Sequence, residues 1–177
     1  EGFLKAQLQT SIGFQQQNNF DSSITILERL IAEINKGNLE GDLHYHLGFT
    51  YYRSGDNQKA IENLIKAVDF YKDKHDYDGL ILSYCKLADV FEADAQHAEA
   101  AIYKNRSITL LPKIKRPYAK IYSLSVLSSI YYDMRKTSPG NIDSSIVFAE
   151  EAFRLMKEYG YYVKANRILN SISDAYY

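Results

Sequence analysis

Few residues in this chain are of a type and spacing that could do chemistry. His44 and His46 stand two apart, which on a helix puts them roughly 200° apart around the axis. Helical zinc pairs stand at i and i+4, so these two cannot hold one ion from one face. His44 reads as a histidine at the edge of a core, and His75 and His97 as surface residues at helix junctions. No His, Cys, Asp or Glu grouping has metal-ligand spacing, and neither a metal nor a cofactor is expected. Cys85 is the single cysteine, so no internal disulfide can form and the redox compartment is not readable. With no histidine near it in sequence, Cys85 reads as a partly buried thiol on a helix rather than a nucleophile. G-x-S-x-G, Walker A and G-x-G-x-x-G patterns are absent, and no carboxylate pair is singled out. The chemistry expected is binding, not catalysis.

What could be bound is narrowed by charge and composition. Lys113, Lys115, Arg116 and Lys120 form the one basic patch, in a single predicted loop. Nucleic-acid binding asks for a longer stripe of phosphate contacts, so the patch reads as a solvated loop balancing nearby acids, with docking of an acidic partner as the functional alternative. The formal net charge is -1, so no bulk basic field draws the chain to nucleic acid or membrane. No run of 18 apolar residues exists, hence no membrane span is expected, and residues 1–5 do not read as a signal peptide. Aromatics reach 14%, with 16 Tyr and no Trp. Tyrosine suits half-buried seams and binding faces, because the ring packs while the hydroxyl stays wet.

The elements that must position these residues read as helices throughout, with no alternating strand-like run. Residues 3–17 carry Leu4, Leu8 and Ile12 at helical spacing. Asn19 or Asp21 caps a second helix bearing Ile24, Leu27, Ile31 and Ile34, which stops near Gly37. Gly41-Asp42 opens a third helix that Gly55 ends, and Asp56 opens a fourth reaching about residue 74. Asp76 or Asp78 begins a fifth with Leu80, Tyr84, Leu87 and Phe91 inward, followed by a turn at 93–96 that lacks glycine. A sixth, about 97–111, stops at Pro112, and Pro117 starts a seventh running to about 136. Residues 137–141 are the clearest loop signal, Asp143 is expected to cap an eighth helix over 144–159, and 162–177 reads as a ninth.

Within these helices one pattern recurs. Leu47-Gly48 is followed by Tyr51, Ala60, Leu64 and Ala67; Leu87-Ala88 by Phe91, Ala100, Ser107 and Pro112; Leu127-Ser128 by Tyr131, Ser145 and Ala152. Weaker copies run from Ser11 through Phe14, Phe20 and Leu27, and from Ile172-Ser173 to Tyr176. The small residues let paired helices approach closely. This pattern resembles the tetratricopeptide repeat, with a period of about 40 residues between Gly48, Ala88 and Ser128 instead of about 34. The resemblance implies an all-α solenoid of antiparallel helix pairs in a right-handed superhelix, about nine helices in one array over 1–177. The expected repeats are about 3–37, 40–75, 77–113 and 116–160, with a partial repeat at 162–177.

The family also implies where a partner would lie. The first helix of each pair lines a concave groove that takes a protein or peptide segment. Carried over, that face comprises Tyr45, Phe49, Tyr52 and Arg53; Lys86, Asp89 and Glu92, with Cys85 beside them; Tyr122, Ser125, Ser129, Tyr132 and Asp133; and Asn170 and Asp174. A chaperone-type carboxylate clamp is not expected, because Lys86 is the only basic residue at the matching stations. Extended repeats of this kind resemble the sensory or scaffold regions of bacterial regulatory proteins, which continue into further domains. The last helix lacks a mate, which fits a fragment of something longer. The alternative is a stand-alone assembly adaptor that self-associates, as a homodimer, through that helix.

Overall fold

A computed structural model describes residues 2–34, 37–133 and 140–161. Eight α-helices follow one another: α1 Gly2–Gln16, α2 Phe20–Glu33, α3 Glu40–Ser54, α4 Asn57–Asp73, α5 Tyr77–Ala93, α6 His97–Leu110, α7 Pro117–Asp133 and α8 Gly140–Tyr159, with a 3-10 turn at Leu111–Lys113 after α6. No strand occurs among the described residues. Helices α1 to α6 each pack against the next, α7 pairs with α8, and α7 lies against α5 rather than α6, so that the pairs stack. The expected ninth helix, 162–177, lies outside the described residues.

Short polar residues set where the helices begin. The Asn19 side chain accepts from Ser22 N at 3.3 Å, Asp56 from Lys59 N at 3.0 Å, and Asp76 from Asp78 N and Gly79 N at 3.1 and 3.0 Å. These satisfy amides that the first helical turn leaves unpaired. Two starts differ from the sequence reading. Helix α8 begins at Gly140, so Asp143 sits inside its first turn rather than at its cap, and residues 140–141 belong to helix rather than loop. There Asp143 still favours the positive end of the helix dipole. Helix α3 begins at Glu40, ahead of Gly41-Asp42.

The helix ends repeat one device. A residue with left-handed backbone, Asn18 (φ 58°), Gly55 (92°), His75 (53°) or Ala95 (57°), closes α1, α3, α4 and α5 in turn. The next amide then bonds back to Phe14, Tyr51, Tyr71 or Phe91 O, at 2.9 Å each time. Only the α5 turn places Ala at this position, and the following Gln96 makes no side-chain cap. Ala with positive φ is strained and an uncapped start forgoes a hydrogen bond. The double substitution Ala95→Gly with Gln96→Asp is expected to raise stability by about 1 kcal/mol, read as a shift of the urea midpoint.

The small residues of the repeat are all buried. Ala88 and Ser128 have no exposed surface and Gly48 is buried. A Cβ built on Gly48 would stand 2.9 Å from Ala60 O and 2.8 Å from Leu64 Cγ, so α3 and α4 nearly touch backbone to backbone. At the α7–α8 crossing Ser145 Oγ donates to Ser128 O at 2.9 Å. A second close contact was not legible from the repeat. The Tyr71 ring packs against Gly41 of α3 and Gly79 of α5, and its hydroxyl donates to Asp42 Oδ1 at 2.6 Å.

The basic patch is tied down by acids. Asp78 Oδ1 accepts Lys115 N at 2.9 Å and Arg116 N at 3.2 Å, and Arg116 Nε lies 3.2 Å from Asp78 Oδ2. Lys113 Nζ stands 4.8 Å over the Tyr77 ring. The segment clamps the 3-10 turn onto the start of α5.

Candidate partner-binding groove

Successive first helices touch one another, α1 with α3, α3 with α5 and α5 with α7, while the second helices stack without comparable contacts. The first helices therefore occupy the inner side of the curve. Along α3, Tyr45, Phe49 and Tyr52 recur every three or four residues and share one stripe. All three are half-buried, and Arg53 beside them is exposed. The Arg53 guanidinium donates to Asn18 Oδ1 at 2.8 Å and lies 5.4 Å from the Phe20 ring centre and 5.9 Å from that of Phe49.

The α3 stripe does not stand apart from α7. It closes across α5 onto Lys86. The Lys86 side chain reaches into the seam and is 1% exposed. Its ammonium lies 5.0 Å from the Phe49 ring, 5.4 Å from Tyr52 and 5.8 Å from Tyr122, with Asp89 Oδ2 at 2.8 Å. Three ring faces and one carboxylate thus surround a single cation, an arrangement that stabilises charge strongly when water is excluded. Burial and a hydrogen bond with Tyr122 hold the Tyr45 phenol well above its ordinary pKa, so it stays neutral. Tyr118 stacks on Tyr122 at 6.3 Å between ring centres and remains 45% exposed. Its spacing of four from Tyr122 was a signal that the sequence reading passed over.

Several expected groove residues are placed elsewhere. Tyr122, Ser125 and Cys85 are buried where α5 and α7 press together, so they form the floor's interior and not its surface. Burial pushes the Cys85 thiol up to about 11, which leaves it protonated and inert at neutral pH. Glu92 turns away from the groove toward α6: its Oε1 is 2.9 Å from His97 Nδ1, and its charge acts on Lys104. Lys104 lies 4.3 Å over the Tyr131 ring and is buried, which lowers its pKa. Asp89, Ser129 and Tyr132 are half-buried along the inner side. Asp133 is the last residue of α7, and Asn170 and Asp174 lie outside the described residues. Self-association through 162–177 concerns that same outlying segment.

His44 is the buried histidine anticipated at the core edge. Its Nδ1 is 3.0 Å from Asn63 Oδ1, and the Asn63 amide donates to Lys59 O at 2.9 Å. That second bond orients the amide, so His44 carries its proton on Nδ1. Burial lowers the imidazole pKa below 6.5, against the smaller opposing effect of the Asn63 bond. A lowered folded-state value means that the unfolded chain takes up the proton first. This contribution to stability is complete above pH 6.5 and is lost as pH falls below it. Urea titrations at pH 7.5 and 5.5 should show a loss for the wild type that His44→Gln removes.

Among the described residues no helix is long and apolar enough to cross a membrane, and no group of three or more His, Cys, Asp or Glu could hold a metal ion. Stacked helix pairs define an α-solenoid. The family model "Tetratricopeptide repeat" matches residues 39–113, which covers α3 to α6. Over α3 to α6 the sequence is therefore similar to the tetratricopeptide repeat family. Among solved structures it is similar to a Rap protein complexed with competence and sporulation factor, with a TM-score of 0.80 at 13% identity. That match covers 96% of this chain and 47% of the other, so the chain spans about half the length of the Rap protein. No curated protein matches the sequence.

Proposed function

We propose that this chain is the interaction segment of a larger bacterial regulatory protein, a single array over 1–177 that takes a partner's segment along the inner faces of α3, α5 and α7. The observation that carries this is the row of half-buried rings, Tyr45, Phe49, Tyr52 and Tyr132, flanking the paired charges Lys86 and Asp89. Aromatic anchors beside a polar register are what a segment in extended or helical form needs for affinity and alignment. A protein of like fold bound to a factor, and about twice as long, supports a binding role within a longer chain. The role assigned is sensory or scaffolding, without catalysis.

Hydroxyl-radical footprinting of the partner complex tests the face. Tyr52, Phe49 and Tyr132 should lose reactivity, while the exposed Ile65, Ile102 and Val147 of α4, α6 and α8 keep theirs. Protection confined to those outer residues rejects the groove.

A further inference from the structure

Lys86 is an odd residue to bury. On the recurrence that aligns Ala88 with Ser128, its counterpart one repeat later is Val126, which packs into the apolar seam between α5 and α7. A valine closes that seam without charge, whereas the preceding seam encloses an ammonium. A buried ion pair is seldom more stabilising than apolar residues of the same volume, so stability does not account for Lys86. Its surroundings do have the makings of a receptor: the faces of Phe49, Tyr52 and Tyr122 on three sides and the Asp89 carboxylate at 2.8 Å. Phe49, Tyr52 and Asp89 are only half-buried, so the enclosure reaches the inner surface of the solenoid.

We propose that Phe49, Tyr52, Tyr122 and Asp89 form a receptor site for an alkylammonium group, filled in the free groove by Lys86 as a tethered stand-in and taken over by an ammonium of the partner segment. The partner role rests on the groove reading above; the receptor itself does not. When the flexible stem of Lys86 swings out, its ammonium is rehydrated and an incoming ammonium replaces it. One ammonium replaces another against Asp89, so the exchange leaves the charge there unchanged. A partner lysine or free amino terminus has the right chemistry, and a carboxylate is repelled by Asp89.

The test uses Lys86→Ala with n-butylammonium chloride, at ionic strength held constant with sodium chloride. The amine should raise the melting temperature of Lys86→Ala saturably. Its apparent affinity should be at least about tenfold tighter than for the wild type, whose own lysine competes at high effective concentration. If Lys86→Ala does not fold alone, the amine should restore its helical circular dichroism, because a ligand of the folded state draws the equilibrium toward it. Adding Asp89→Asn should abolish the effect, and n-butanol should not reproduce it. No amine-dependent gain, an equal gain with n-butanol, or a gain indifferent to Asp89→Asn overturns the receptor. A groove footprint without an amine effect removes the receptor alone. A footprint on the outer helices removes the groove and with it the partner role.

Discussion

Gly48→Leu should lower the melting temperature by roughly 6–12 °C, the equivalent of about 3 kcal/mol in a chain of this length. The obstacle at Gly48 is largely backbone: the first carbon of any side chain would meet Ala60 O at 2.9 Å and Leu64 N at 3.1 Å. A main-chain carbonyl in a helix cannot step aside as a side-chain tip can, so α3 and α4 must separate. Separation uncovers Leu47 and Leu64, both in the core between them. Gly13 supplies the contrast. It lies in α1 with nothing within 4 Å of a built Cβ. Gly13→Ala should therefore show only the helix-propensity gain, stabilising by about 1 kcal/mol. Calorimetric melting of both variants checks the pair, and equal shifts would mean that the α3–α4 crossing is looser than described.

Tyr132→Ala should weaken the partner about thirtyfold, corresponding to about 2 kcal/mol for one aromatic anchor. Tyr52→Ala should weaken it as much, but the two variants should differ in melting. Tyr52 roofs the buried Lys86 ammonium, so removing its ring also destabilises the fold. Tyr52→Phe keeps that ring and should restore stability. Tyr131 makes a different control. It packs on Phe148 at 5.5 Å and covers Lys104, so Tyr131→Ala should act on melting first. Titration calorimetry alongside melting separates these outcomes, and full-strength binding by Tyr132→Ala would remove that residue from the interface.

Much of the fold was legible because local chemistry dictates it. Asn19, Asp56, Asp76 and Pro117 mark helix starts by satisfying or lacking particular amides. Gly48 marks a crossing because nothing larger fits, and Ala88 and Ser128 are small residues with no exposed surface. The inner stripe was legible in part, since helical period assigns Phe49 and Tyr52 to one face. Period cannot tell how closely neighbouring first helices approach. That distance decides that Lys86 is enclosed and that Tyr122 and Ser125 are covered. Glu92 instead meets His97, five residues on across the α5–α6 turn. Long side chains such as Lys86 choose among rotamers by tertiary surroundings, which no spacing rule records. The role of Tyr71 was hidden likewise, because its contacts come from Gly41 on one helix and Gly79 on another.

Site-directed photo-crosslinking tests the central claim, that the inner face of the first helices is the binding face. A photoreactive residue is placed singly at Arg53 and Ser129 on α3 and α7, and at Ile65 and Ile102 on α4 and α6. With the partner present, Arg53 and Ser129 should each crosslink to one and the same partner segment, mapped by mass spectrometry, while Ile65 and Ile102 give none. Crosslinks to that partner from Ile65 or Ile102, with Arg53 and Ser129 silent, would contradict it.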